Sequence, residues 1–146
     1  MATIKTTQLR RAVLSKLKVT SAVTSLVATA SIYPQTTPPA PAYPHIRMGA
    51  PSFFPLKAAC VDGTTGIFSV HTFSRGVDTG GALAMTGEDH AGNIGDAIAA
   101  ALDGQILITD DGARLHIRWT GSQLMQDGAE ADLYHAVVNF SLRTIE

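Results

Sequence analysis

The chain has 146 residues, 45% hydrophobic and 16% charged, which is enough to bury a core and far from the polar composition of disorder. We read it as one domain spanning 1–146. The net charge of −1, from 11 basic and 12 acidic residues scattered along the sequence, argues against a broad electrostatic footprint for DNA or an anionic membrane.

Thr6 or Thr7 can cap a first helix with Leu9, Val13 and Leu17 on one face and Arg10, Arg11, Lys16 and Lys18 around the rest. Thr20 offers a second cap, followed by a short apolar stripe of Val23, Leu26, Val27 and Ala30. These apolar residues are spaced, not continuous, so neither a signal-peptide core nor a transmembrane run is expected. Prolines recur from Pro34 to Pro44, which makes 34–44 an extended, partly polyproline-like loop.

His45 to Gly49 and Pro55 to Val61 read as extended pieces around Phe53 and Phe54, and their prolines suit a sheet edge. A strand follows from Gly66 to Ser74. It places Phe68, Val70 and Thr72 on one face and Ile67, Ser69, His71 and Phe73 on the other, so both faces should be at least partly covered. Residues 75–89 contain Gly76, Gly80, Gly81 and Gly87 and read as a long flexible loop. Asp89 is positioned to cap a helix whose face is Ile94, Ala97, Ile98, Ala101 and Leu102, with Gly104 at its stop.

The last third reads as a meander. Ile106 to Thr109 leads into Asp110-Asp111-Gly112, a hairpin turn because Asp-Gly tolerates positive φ. From Arg114 to Thr120, Leu115, Ile117 and Trp119 alternate with Arg114, His116 and Arg118, the one basic row on a strand face. Asp127-Gly128 marks a second turn. The final strand directs Tyr134, Ala136, Val138, Phe140 and Leu142 inward, with His135, Asn139, Ser141 and Arg143 outward. The order predicts an α+β fold, with N-terminal helices first and helices packed on one face of an antiparallel sheet of about four strands.

The chemistry-bearing residues form no reactive constellation. His45, His71, His90, His116 and His135 share no H-x-x-x-H spacing, and Cys60 is the only cysteine. That lone cysteine excludes an intrachain disulfide and reads as a small buried hydrophobe. His116 and His135 fall on solvent faces of neighbouring strands, close enough in order to approach, but without a third ligand they read as two exposed strand histidines. Glu88-Asp89-His90 and Asp110-Asp111 read as a cap and a turn, not as a calcium loop. Gly80-Gly81 lacks the lysine of a phosphate loop, and no serine occupies a Gly-x-Ser-x-Gly elbow. No catalytic, cofactor-binding or metal residue is assigned. The chain reads as a protein that assembles.

A set of joints adds to this. Leu9 to Leu17 and Val23 to Val27 are followed by Ser31-Ile-Tyr-Pro34, a proline-rich gap, and Tyr43-Pro-His-Ile-Arg-Met-Gly49. Then come Phe68-Ser-Val-His-Thr-Phe-Ser-Arg75, a helix ending Ala-Leu-Asp-Gly104, and a closing segment from Asp127-Gly128 to Phe140. In this order they resemble the small tail-terminator (tail-completion) proteins of long-tailed bacteriophages and gene transfer agents, over nearly the whole chain. The loop after Arg75 is longer than that family's, and Ser52 to Asp62 is more apolar.

The resemblance implies a non-enzymatic virion protein without cofactors, assembled in the host cytoplasm. It implies a homo-oligomeric ring, commonly a hexamer, at the head-proximal end of the tail tube. Its partners would be the tail tube protein and the head's connector or stopper, with DNA only as passing cargo and no membrane. Another neck ring, a head-completion or stopper protein, is the nearest alternative. A small-ligand-binding α+β module is the alternative from a different class.

Overall fold

The structure is a computed structural model that describes residues 5–58, 60–79, 82–128 and 132–145. Helix α1 (Thr6–Val19) forms where the apolar stripe demands it: Leu9, Val13 and Leu17 are fully buried, while Arg10, Arg11 and Lys18 face outward. The expected threonine cap is not made. Lys5 holds the N-cap position without a side-chain hydrogen bond, and Thr6 is already helical. Packing, not capping, therefore fixes this helix, each buried Leu or Val contributing about 1.5–3 kcal/mol. Thr20 links α1 to the four-residue α2 (Ser21–Thr24), its hydroxyl donating back to the Lys16 carbonyl at 2.6 Å.

Five strands precede the next long helix: β1 (Ile32–Tyr33), β2 (His45–Met48), β3 (Ser52–Ala58), β4 (Val61–Ser74) and β5 (Val77–Thr79). A sixth, β6 (Ala82–Met85), leads into α3 (Gly87–Leu102), and β7 (Ile106–Ile108), β8 (Arg114–Gln126) and β9 (Tyr134–Ile145) complete the chain. Residues 34–44 hold no regular element, as their prolines require.

The main sheet corrects the expectation of about four antiparallel strands. Among the described residues it has seven, in the order β1-β2-β4-β9-β8-β7 with β3 also paired to β4, and it curls into a half-barrel. The sheet is mixed, since β1 runs parallel to β2. The long β4 explains the extra strands. One of its edges pairs β2 through Val70–Phe73 and β3 through Val61–Ile67, while β9 pairs the other edge. Phe53 and Phe54 thus lie inside β3, not between two pieces. Cys60 sits at the β3–β4 turn and is exposed, not buried, because the hairpin carries it away from the core.

The segment 75–89 is also more ordered than its glycines suggest. β5 and β6 pair antiparallel, with Gly80 and Gly81 lying outside the described residues. Helix α3 starts before Asp89: Thr86 is the cap, its Oγ1 accepting from the Asp89 N–H at 3.2 Å. Glu88 and Asp89 then occupy the first turn, where carboxylates complement the helix dipole. The helix ends at Leu102, and past its C-cap Asp103 the chain turns at Gly104, whose φ of 72° only glycine adopts cheaply.

In the β7–β8 turn Gly112 alone takes positive φ, at 85°, so Asp111 keeps an ordinary backbone and accepts from the Thr109 hydroxyl instead. Strand β8 runs past Thr120 to Gln126 through a bulge between Trp119 and Gly121. Near the bulge Trp119 departs from the buried Leu115 and Ile117 and is 47% exposed. The core joins Leu9, Val13 and Leu17 to Ile94, Ile98 and Leu102 of α3 and to Phe68, Val70, Val138, Phe140 and Leu142 of the sheet. Gly95 lets α3 approach β9 closely, since an added Cβ would stand 3.3 Å from Ala136 Cβ. All three helices therefore lie on one side. Among the described residues the other side of the sheet carries no helix.

Candidate functional site

The strand register assigns the helix-free face, because directly opposed residues share a side of the sheet. One half of it is basic. Arg114, His116 and Arg118 of β8 are exposed, His116 stands opposite Arg143 of β9, and Arg118 stands opposite Ser141. β7 places Ile106 opposite His116 and Ile108 opposite Arg114, and β4 places Ile67 opposite Ser141. These three isoleucines are 51%, 63% and 54% exposed, so the arginines are interleaved with unburied apolar surface. His116, Arg118 and Arg143 line a shallow groove of about 440 Å³. None of the strand positions named on this half carries a carboxylate.

The other half is a cluster of rings. Phe73 is opposed by His45 on β2 and by His135 on β9. Its ring stacks on both, with centroids 4.9 Å and 4.2 Å apart. His71, two residues earlier, has its Nδ1 at 2.7 Å from His135 Nε2 and its Nε2 at 3.0 Å from Ser69 Oγ. The Arg47 guanidinium lies 5.4 Å from the Phe73 centroid, and Arg47 Nε is buried without a hydrogen-bond partner. Tyr43 packs against His45 and carries Arg75 over its own ring at 4.5 Å.

A neutral imidazole has one donor and one acceptor nitrogen, so the Ser69–His71–His135 chain is satisfied by neutral rings in either tautomer order. Protonating both histidines would set two N–H groups against each other. Burial therefore holds His71 down from 6.5 to about 4, helped by the neighbouring His135 and Arg47 charges. Burial also lowers His135, against a smaller raising effect from Asp127, and lowers His45, against its hydrogen bond to the Ala42 carbonyl. His90 is apart from this cluster. It is buried on the helix side with Nδ1 at 2.6 Å from Ser74 Oγ, and burial lowers it too.

His116 and His135 do not approach each other. On β9 His135 opposes Met125, and His116 opposes Arg143 at the far end of the strand. The true partner of His135 is His71, 64 residues away in sequence, and only the β4–β9 register brings them together. Among the described residues no group of three or more His, Cys, Asp and Glu is placed to hold a metal. What the face offers is charge, ring surface and apolar area for contact.

A family model described as "Tail completion protein gp17" matches residues 11–145, which take in both halves of this face and all of α3. The chain belongs to the tail completion protein gp17 family. It is thus a structural, non-enzymatic component of the virion tail. Among solved structures, a chain described as "Virion of native gene transfer agent (GTA) particle" is similar, with TM-score 0.74 at 18% identity over 96% of each chain. A second solved chain aligns at TM-score 0.55 and 13% identity, over 99% of this chain and 97% of its own. At such identities these two likenesses show the fold alone. A search of curated proteins finds no sequence match.

Proposed function

We propose that this tail completion protein acts as a single-domain tail terminator, forming a ring on the head-proximal end of the tail tube. There it stops tube polymerisation and presents a surface to the connector or stopper of the head. One observation carries this reading: the match to the tail completion family runs from residue 11 to residue 145 and so takes in nearly the whole domain. The fold shared with a gene transfer agent virion chain over 96% of both chains supports it.

The physical features fit such a role. Among the described residues the peripheral strands β1, β3 and β7 each pair along one edge only, and an unpaired edge is available for contact with another chain. A ring needs the same surface pair repeated around an axis, and a hexamer is the size we favour. The near-neutral chain suits a conduit that lets DNA pass without gripping it.

Cryo-electron microscopy of the assembled particle tests the position. The reading predicts this fold as a ring in contact with the last tube layer. The same fold found on the portal side, without tube contact, would assign it instead as a stopper.

A further inference from the structure

The basic half of the helix-free face has a complement elsewhere on the same chain. Helix α3 carries Glu88, Asp89 and Asp96 on its exposed side, Asp103 is at its C-cap, and the helix contains no Lys or Arg. Glu88, Asp89 and Asp96 line a second groove together with Met85, Gly92 and Leu124, and Leu124 is 42% exposed. Each patch thus combines one sign of charge with unburied apolar side chains, and the signs are opposite. The buried side of α3 packs on β4, β8 and β9, so its acidic side points away from the sheet. The patches lie on opposite sides of the subunit and cannot meet within one copy.

We propose that the helix-free face at Arg114, Arg118, Arg143 and Ile106 docks the acidic face of α3 on a second copy of this chain. The contact is head-to-tail, joining two different surfaces, and such a contact closes into a ring when the rotation per subunit permits. It deepens the ring reading above and rests on it for its place in the particle. Charge alone would hold little, because exposed ion pairs are weak and screened. Burial of Ile106, Ile108 and Leu124 supplies the rest.

The other basic surface, α1, fits the acidic groove less well. Lys5 and Arg11 are already engaged by Asp111 at 3.7 Å and Asp110 at 3.5 Å. Among the described residues Val19 is the one large apolar side chain that α1 leaves exposed.

Sedimentation velocity of the purified chain at about 0.1 mM tests the contact. It is run at about 0.01 M salt, where charges act over about 30 Å, and at about 1 M, where they act over about 3 Å. The wild type should associate at low salt and dissociate at high salt. Arg114→Glu with Arg118→Glu should be monomeric, as should Glu88→Lys with Asp96→Lys. An equimolar mixture of the two should associate again, because each altered face then meets its opposite. Circular dichroism confirms the fold of each, and the milder Arg118→Gln and Asp96→Asn should each weaken association several-fold.

A wild type that stays monomeric at low salt, or reversed variants that associate as it does, would overturn the contact. So would duplex DNA bound tightly at about 0.15 M salt and released by the arginine reversals, which would assign the face to nucleic acid. Tail length in a strain lacking the gene reads the terminator function separately from either result.

Discussion

His71 Nδ1 lies 2.7 Å from His135 Nε2 across the β4–β9 pair, and burial holds His71 down from 6.5 to about 4. The native state therefore keeps neutral a ring that the unfolded chain protonates near pH 6.5. The unfolded state binds the extra proton between these values, so stability is complete above about pH 6.5 and is lost as pH falls toward 4. His45, His90 and His135 shift in the same direction and add to the effect.

Solvent screening of a half-buried ring reduces the His71 contribution to about 1–2 kcal/mol between pH 7 and pH 4.5. Urea midpoints across that range should fall with acid, and His71→Gln should fall less steeply than the wild type. Parallel pH profiles for the two proteins would show that this pair does not titrate as the geometry requires.

Two glycines of α3 should respond oppositely to alanine. A Cβ on Gly87 would clash with the backbone carbonyl of Asp132 and stand 3.0 Å from that of Ser74, neither of which can rotate aside. Gly87→Ala should cost about 1–3 kcal/mol. On Gly92 the added Cβ would meet only Leu124 Cδ2 at 3.6 Å, an ordinary contact. Gly92→Ala should be neutral or stabilising by up to about 1 kcal/mol, since alanine favours the helix. Thermal unfolding ranks them, and a more stable Gly87→Ala protein would contradict the packing of the α3 start.

Residues 34–44 hold no regular element and cost little to leave mobile in the free subunit. They should exchange amide hydrogens quickly in isolation and gain protection in the particle, as segments that order on binding do. By contrast β9, buried at Ala136, Val138, Phe140 and Leu142, should exchange slowly in both states. Equal protection of 34–44 before and after assembly would remove this loop from the interface.

How much was legible follows the strength of local periodicity. β9 alternates along its whole length, and its inward set from Ala136 to Leu142 is buried as read. The α3 stripe of Ile94, Ile98, Ala101 and Leu102 is likewise in the core. The β3–β4 hairpin was hidden because Pro55, Gly63 and Gly66 interrupt the pattern and β3 is largely exposed. β8 was cut short at Thr120 because the bulge at Trp119 and Gly121 shifts the alternation, and the residues beyond it face solvent.

The candidate face was legible only in part. The row Arg114, His116 and Arg118 is a local pattern and was visible. Arg143 joins it through pairing with β9, and His71 meets His135 through a register that no local signal encodes. The acidic side of α3 was readable as caps and charges, but its position opposite the basic face is a property of the fold.

The proposed role of this tail completion protein is to end tail-tube growth and to join the tail to the head. Electron microscopy of particles made with the gene deleted tests it most directly. Tubes of uncontrolled length and heads without tails are expected, both corrected by supplying the wild-type chain. Tails of normal length attached to heads in the deletion strain would contradict it.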